Sequence, residues 1–499
     1  MERMLSRADD IAALRLIWAV FQLQSGEGPK ARTYISFPPS AEAARLGDPE
    51  YVYPWNLETL VNELLATPKA VRQPDAPELF LRPDVFASVG ELTNALRALE
   101  NAEDGISLEK NDVFAELHRG IQRQFEWQRG FANLPRFYRS AFLYGSGESG
   151  HYFESSMGLS PADFMLTGFA LHAGADLAPV RDRASDMSLI GVTPAMREAT
   201  LGRISIGFPS ARARAAELRG LRRPTAYRGS VLRDFPIITV GQSGEGLAAP
   251  LPSLIIQRIT SGLYLDVVNG GEAVWQGIGK RFEDYCLRYL NRMFGGYEVE
   301  SESEYGSKKN RFRTPDILAS RHEEIALVLE CKAKRMTFEA RYSEDPVADS
   351  RLGYEEIAKG IFQIWRFWSH ARRGIFSRPV NPKCLGMVVT TDPWLSMAKN
   401  LEEEVTAIAT QMAKEADSQI TEEDRRTVAV TQIDDVEFTL QNGNAESFIR
   451  AIEEGTRGDK LGWLLCNIHK PGGLPQRPYP FAEEMSDLLP WWEARSASD

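Results

Sequence analysis

Asp316, Glu330 and Lys332 bring two carboxylates and an ammonium group close together in this 499-residue chain, the last two within an otherwise apolar strand. The run Leu327-Val-Leu-Glu330-Cys331-Lys332-Ala-Lys334 reads as a strand, and side chains along a strand alternate between faces with a period of two. Leu327, Leu329, Cys331 and Ala333 then share one face, and Val328, Glu330, Lys332 and Lys334 share the other. Charged groups in such a sheet cost free energy unless they are paired or used. Asp316 stands 14 positions before Glu330, and a hairpin through Ser320-Arg-His-Glu323 brings it alongside. Converging carboxylates repel unless a cation lies between them. An all-oxygen set of this kind suits Mg²⁺ or Mn²⁺, with water completing the shell. A lysine beside them stabilises a phosphorane-like transition state or orients the attacking water. The chemistry indicated is phosphodiester hydrolysis.

The surrounding elements must hold this trio in register. The pattern predicts a helix over about 278–294, strands near 297–304, 314–319 and 324–334, a helix over about 354–369, a strand at 384–390 and a helix near 394–415. Such alternation suggests an α/β sandwich. At Pro315-Asp316 and Glu330-x-Lys332, in this order of elements, the chain resembles the PD-(D/E)XK nuclease superfamily. The resemblance covers residues 271–440. It implies a central mixed sheet flanked by helices and Mg²⁺-dependent cleavage of nucleic acid, DNA before RNA. It also implies Asp316 and Glu330 as metal ligands, joined by the backbone carbonyl of Cys331 and by Glu283 on the preceding helix. Glu283 aligns with Leu287, Leu290 and Phe294 on a largely buried stripe, where its partner is a metal or an arginine such as Arg281. Gln363 flanks the core face formed by Ile357, Ile361, Ile364 and Trp368, where members of the superfamily often place a glutamine beside the active site. Lys334 is equally a phosphate contact or a solvated lysine. Glu330 and Lys332 also have a plainer reading, as an ion pair that discourages pairing at an edge strand. Glu298, Glu300, Glu302 and Glu304 read as a solvated strand face, from which Glu302 or Glu304 could approach the metal.

The length corresponds to roughly three domains of about 150 residues. A net charge of −11 excludes a histone-like coat for nucleic acid but not a local basic groove. Four scattered cysteines with no CxxC pair exclude a zinc ribbon and a disulfide framework. The opening residues carry no secretory apolar core, and no run of about 18 apolar residues occurs, so a cytoplasmic protein without a membrane partner is expected. There is no GxxxxGK[ST] motif, so ATP-driven movement would need a partner subunit. Gly145-Ser-Gly-Glu-Ser-Gly150 fits GxGxxG but lacks a clean strand before it and a clear helix after it, and reads as a flexible loop. The six histidines show no close ligand spacing.

Four regions follow: a mainly α-helical N-terminal region (1–190), a small mixed α/β connector (191–270), the nuclease-like α/β domain (271–440) and a C-terminal extension with a Pro-rich tail (441–499). Ser160-Pro161-Ala-Asp163 carries the signals of a helix start. Strands are expected at 237–240 and 263–268. Eight arginines between Arg203 and Arg233 face one acid, Glu217. Arg212, Arg214, Arg219, Arg222, Arg223 and Arg228 are therefore candidate phosphate contacts, or a surface that docks an acidic domain or subunit. His118–Arg139 interleaves basic and aromatic residues, which suits either stacking on single strands or core packing. The expected function is a metal-dependent endonuclease, with a bacterial restriction or anti-phage role by analogy. The alternatives are a non-catalytic nucleic-acid-binding or assembly subunit that keeps the fold, and an RNA-cleaving toxin. One active site cuts one strand, so duplex cleavage favours a homo-oligomer or sequential nicking.

Overall fold

The computed structural model describes residues 1–70, 81–108, 113–221, 223–395 and 398–492. The chain divides into two compact units, one of Met1–Lys110, Arg123–Asn269 and the chain from Leu488, the other of Asn111–Gln122 and Gly270–Asp487. Residues 191–269 thus belong to the same unit as the helical front. No helix among the described residues is long and apolar enough to cross a membrane.

The first unit is mainly helical. Its helices include Asp10–Gln24, Pro54–Ala66, Leu134–Tyr144 and Pro161–Leu177. The last begins where the sequence indicates: Ser160 Oγ accepts from the Asp163 amide at 3.1 Å, with Pro161 in the first turn. A four-stranded sheet contains Ile237–Val240. Leu263–Val267 is a helix, contrary to the expected strand. Its Asp266 forms a two-pronged pair with Arg258, at 2.7 and 2.8 Å, both side chains buried. Leu263 and Val267 are buried one turn apart. A buried ion pair and an i, i+4 apolar contact override the β-branched composition. The GxGxxG segment is a tight turn into the helix Gly147–Met157, not a loop. A Cβ on Gly150 would stand 2.6 Å from the Gly145 carbonyl oxygen, so these glycines allow close chain approach.

The second unit contains α1 (Glu272–Met293), β1 (Glu298–Ser301), the ribbon strands β2 (Glu304–Ser307) and β3 (Asn310–Arg313), then β4 (Ile317–Arg321) and β5 (Glu324–Lys332). Beyond these come α2 (Arg351–Arg372), β6 (Val380–Thr390), α3 (Lys399–Ala416) and β7 (Ala429–Gln432). The main sheet has the order β7-β6-β5-β4-β1. β5, β6 and β7 run parallel, while β4 and β1 are antiparallel additions. Strand β5 is therefore central, so the edge-strand reading of its charges is wrong. Helix α2 packs on the face that carries Val328, Glu330 and Lys332. The Cys286 thiol of α1 meets the Cys331 thiol on the other face. The result is a mixed sheet with helices on both sides. Tyr479 and Phe481 of the Pro-rich tail pack on Tyr285 and Tyr289 of α1.

Close helix–sheet contact depends on glycine. Gly386 on β6 leaves no room for a methyl group: a Cβ would stand 2.7 Å from Ile364 Cγ2 and 2.9 Å from the Trp368 ring. Gly386→Ala is expected to destabilise this unit by about 1–3 kcal/mol through overpacking, read as a lower urea midpoint at unchanged slope. An unchanged midpoint would mean that α2 can ride away from the sheet.

Candidate active site

The β4–β5 turn places the two acids. Ile317 pairs with Leu329 in the ladder, so Asp316, immediately before β4, falls opposite Glu330. The turn itself uses left-handed His322 (φ 51°) and Glu323 (φ 66°), the conformation that a two-residue hairpin with matching twist requires. Asp316 Oδ2 accepts the Cys331 amide at 2.7 Å, which locks the carboxylate against the end of β5.

Glu330 is 1% exposed. Its Oε2 accepts from Lys332 Nζ at 3.0 Å; among the described residues no donor reaches its buried Oε1, and the carboxyl lies against that of Asp316. Lys332 Nζ also donates to Gln363 Oε1 on α2 at 3.0 Å. The structure thus brings together Asp316, Glu330, Lys332 and Gln363. Gly360, a residue that sequence reasoning missed, makes the last contact possible. A Cβ there would stand 3.0 Å from Lys332 Cε and 3.1 Å from Val388 Cγ2, in the channel through which the lysine reaches Gln363. Its only signal in the sequence is a glycine inside a helix, one turn before Gln363.

The other expected residues stand differently. Glu283 is not on the buried stripe of α1, which runs through Ile278, Phe282, Tyr285, Cys286 and Tyr289. It is half-buried and pairs with Lys280 at 3.0 Å, not with Arg281. Glu283 and Glu302 nevertheless act electrostatically on Asp316. Glu304 lies out on the β2–β3 ribbon. Lys334 follows the end of β5, and its carbonyl accepts from Trp394 Nε1 at 3.2 Å. Among the described residues its ammonium group has no acidic partner.

The arginine-rich segment is engaged within its own unit. Arg212 pairs with Asp10 at 2.9 Å, Arg228 with Glu63 at 3.0 Å and Arg233 with Glu58 at 2.7 Å; Arg219 pairs with Glu2. Arg214 pairs with Glu217 on its own helix. Arg223 gives its carbonyl to Arg228 Nε, and Arg222 lies outside the described residues. The guanidiniums of Arg212, Arg219, Arg228 and Arg233 are thus engaged with acids of the helical front, which matches the reading of this segment as a surface that docks an acidic partner, here within its own unit. Trp127, Phe131, Phe137 and Tyr138 are buried core residues.

Charge at the site is unbalanced. Burial pushes the Glu330 carboxyl up to about 8; Lys332 opposes this and neighbouring Asp316 adds to it. Burial likewise raises Asp316 against the Cys331 amide and Lys332, with help from Glu283 and Glu302. For Lys332, burial alone would lower the ammonium, but Glu330, Asp316 and Glu356 outweigh it and hold the group above its ordinary value. One cation serves more than one buried carboxyl. Among the described residues, no three His, Cys, Asp or Glu side chains are grouped to hold a metal. The two adjoining carboxyls, with no donor at Glu330 Oε1 among the described residues, still fit a hard divalent ion, which commonly takes one or two protein carboxylates and fills its shell with water or phosphate. The chain matches no family model, no curated protein and no solved structure.

The electrostatics give a pH dependence. The folded protein holds the Glu330 proton up to about 8, whereas an unfolded glutamate releases it near about 4.3. The folded state binds more protons in that window, so stability falls as pH rises through it. In EDTA, wild-type stability is expected to decline between pH 5 and 8 by on the order of 1–3 kcal/mol more than that of Glu330→Gln. Parallel urea-unfolding curves for the two proteins across this range would refute the assignment.

Proposed function

We propose that Asp316, Glu330 and Lys332 form the active site of a Mg²⁺- or Mn²⁺-dependent nuclease, with DNA as the first substrate to test. The carrying observation is the buried carboxyl of Glu330 against that of Asp316, with no donor among the described residues at Glu330 Oε1, a deficit of positive charge at the end of a central strand. Asp316 and Glu330 would hold the ion. When bound, the ion supplies a Lewis acid and lowers the pKa of attacking water.

The remaining work falls to the chain's own groups. The Cys331 amide fixes Asp316, so its free oxygen has one orientation. Lys332 stays protonated, because the carboxyls around it raise its pKa. An ammonium group has three donors. Two are committed to Glu330 and Gln363, which leaves one aimed charge for a phosphoryl oxygen as negative charge builds on it. Gln363 is a positioning residue in this scheme, and Gly360 keeps the path of Lys332 open.

A second reading is a non-catalytic scaffold in which Glu330 and Lys332 are a structural pair, favoured by their 3.0 Å bond. The decisive experiment incubates the purified chain with supercoiled plasmid, linear duplex, single-stranded DNA and RNA, in Mg²⁺, Mn²⁺ or EDTA. Metal-dependent cutting is expected, with Lys332→Ala slower by about a hundredfold or more. Undiminished cutting by that variant removes Lys332 from the mechanism. A specific site should also gain about 2.7 kcal/mol of stability at a metal concentration 100 times its Kd. Absence of both cutting and this gain selects the scaffold.

A further inference from the structure

The β2–β3 ribbon is the most basic exposed feature next to the proposed site. Residues 304–313 carry Lys308, Lys309, Arg311 and Arg313 against Glu304 alone, in a chain of net charge −11. The ladder pairs Glu304 with Arg313, Tyr305 with Phe312, Gly306 with Arg311 and Ser307 with Asn310. Lys308 and Lys309 therefore occupy the two-residue turn at the tip. Both are exposed, and among the described residues neither has an acidic partner. Gly306 has φ 98°, and a Cβ there would run into the Asn310 carbonyl, so only glycine lets the ribbon close at this point.

One face of the ribbon is pinned. Tyr305 packs edge-on against Phe376 with ring centres 5.3 Å apart, and Phe312 packs on His370 at 4.3 Å. Tyr305 Oη and His370 Nδ1 are hydrogen-bonded at 2.8 Å. Burial raises Tyr305 to about 12 and lowers His370 to about 4, the latter aided by Arg373 and Arg366. Both partners are therefore uncharged across the physiological range, and the pin holds throughout it. The other face presents Arg311 and Arg313, 69% and 66% exposed, in ion pairs of 3.2 Å with Glu304 and Glu302. Such exposed pairs contribute little and are screened by salt, so a polyanion can displace them.

The root of the ribbon is tied to the site. The Thr314 amide donates to the Ser303 carbonyl at 3.0 Å, and the Ser303 amide donates to Thr314 Oγ1 at 3.0 Å. Arg313 precedes Asp316 by three residues, a span of at most about 10 Å. Glu302, the partner of Arg313, acts electrostatically on Asp316.

We propose that this ribbon, with Lys308 and Lys309 at its tip and Arg311 and Arg313 on its open face, grips the phosphate backbone of a DNA duplex and delivers it to the Asp316–Glu330 centre. A two-stranded ribbon fits the major groove of B-form DNA. The proposal rests on the nuclease reading for the delivery step, whereas the grip itself does not depend on cleavage.

The test measures binding of the full chain to a fluorescent 30-base-pair duplex by anisotropy, in EDTA, over a range of salt. Lys308→Ala/Lys309→Ala is expected to bind about tenfold more weakly. The slope of log K against log salt should fall by about 2, close to 0.9 for each phosphate contact removed. Both positions are exposed turn residues, so an unchanged melting curve provides the folding control. Equal affinity and slope for variant and wild type overturn the proposal, as does failure of the wild type to bind duplex or a stronger dependence on the ribbon with single-stranded DNA or RNA. Ribbon-dependent binding without metal-dependent cleavage would leave the grip standing and remove the nuclease reading. Cleavage with ribbon-independent binding would do the reverse.

Discussion

A carboxylate in the middle strand of a sheet governs the architecture around it. Burying an ion costs several kcal/mol unless a partner with good geometry repays it. Glu330 sits where the strand has neighbours on both sides and a helix across its face, so bulk solvent does not reach it. Lys332, two residues on, is the nearest cation that the strand's alternation can supply, and it satisfies one oxygen. The lysine in turn has to be held in a narrow channel. Gly360 clears that channel, and Gln363 anchors its end. The chain has thus given up side-chain volume on α2 and retained an ionisable pair where an apolar pair of similar volume is often as stable. A group retained at such cost, with no donor at one of its oxygens among the described residues, is a candidate for chemistry more than for packing.

On the proposed reading, the sheet's direction explains where this group would meet a substrate. In the parallel core, Lys332 pairs in register with Thr390, and Thr390 with Gln432. All three residues are the last of their strands. The trio therefore lies at the carboxyl ends of parallel strands, where open α/β sheets present their ligand crevices. Antiparallel β4 brings Asp316 to the same edge from the opposite direction, which a parallel neighbour in this register would not do. Mixed topology is in this sense part of the site.

Much of this arrangement is legible in the sequence because strand alternation is a rigid rule. Once Leu327–Lys334 is read as a strand, the shared face of Glu330 and Lys332 and the approach of Asp316 follow. Gln363 follows from the helical period. What fails is whatever depends on partners distant in sequence. Leu263–Val267 reads as a strand until Arg258 is known to need Asp266. The arginines of 203–233 look like a phosphate-binding patch until Asp10, Glu58 and Glu63 are placed against them from far upstream. Glu283 looks buried on the helical wheel because Leu287 and Leu290 share its stripe, but the sheet meets α1 about one residue further round, through Phe282 and Cys286. The basic ribbon is hidden for the opposite reason. Its cations follow directly on Glu298, Glu300, Glu302 and Glu304, so a charge count that begins at the strand meets acids first.

Two opposite charge densities within one unit are what an ion-assisted reaction on a polyanion demands. A centre with more carboxyl than ammonium groups attracts a divalent ion but repels a bare phosphodiester, by several kcal/mol at short range in a poorly screened site. On the proposed reading, the ion alone would offset that repulsion only at the reacting phosphate, while the flanking phosphates would still meet Glu283, Glu302 and Glu356. Cations are therefore needed a short distance away, outside the pocket, where they do not neutralise the carboxylates that bind the ion. A ribbon rooted three residues before Asp316, uncharged on its pinned side and basic at its tip and open face, meets that requirement. If Lys308 and Lys309 stood in the pocket itself, they would pair with Asp316 and Glu330 and remove the deficit of positive charge that, on the proposed reading, suits the centre to an ion. Their separation from the acids by the length of a hairpin lets both charges act.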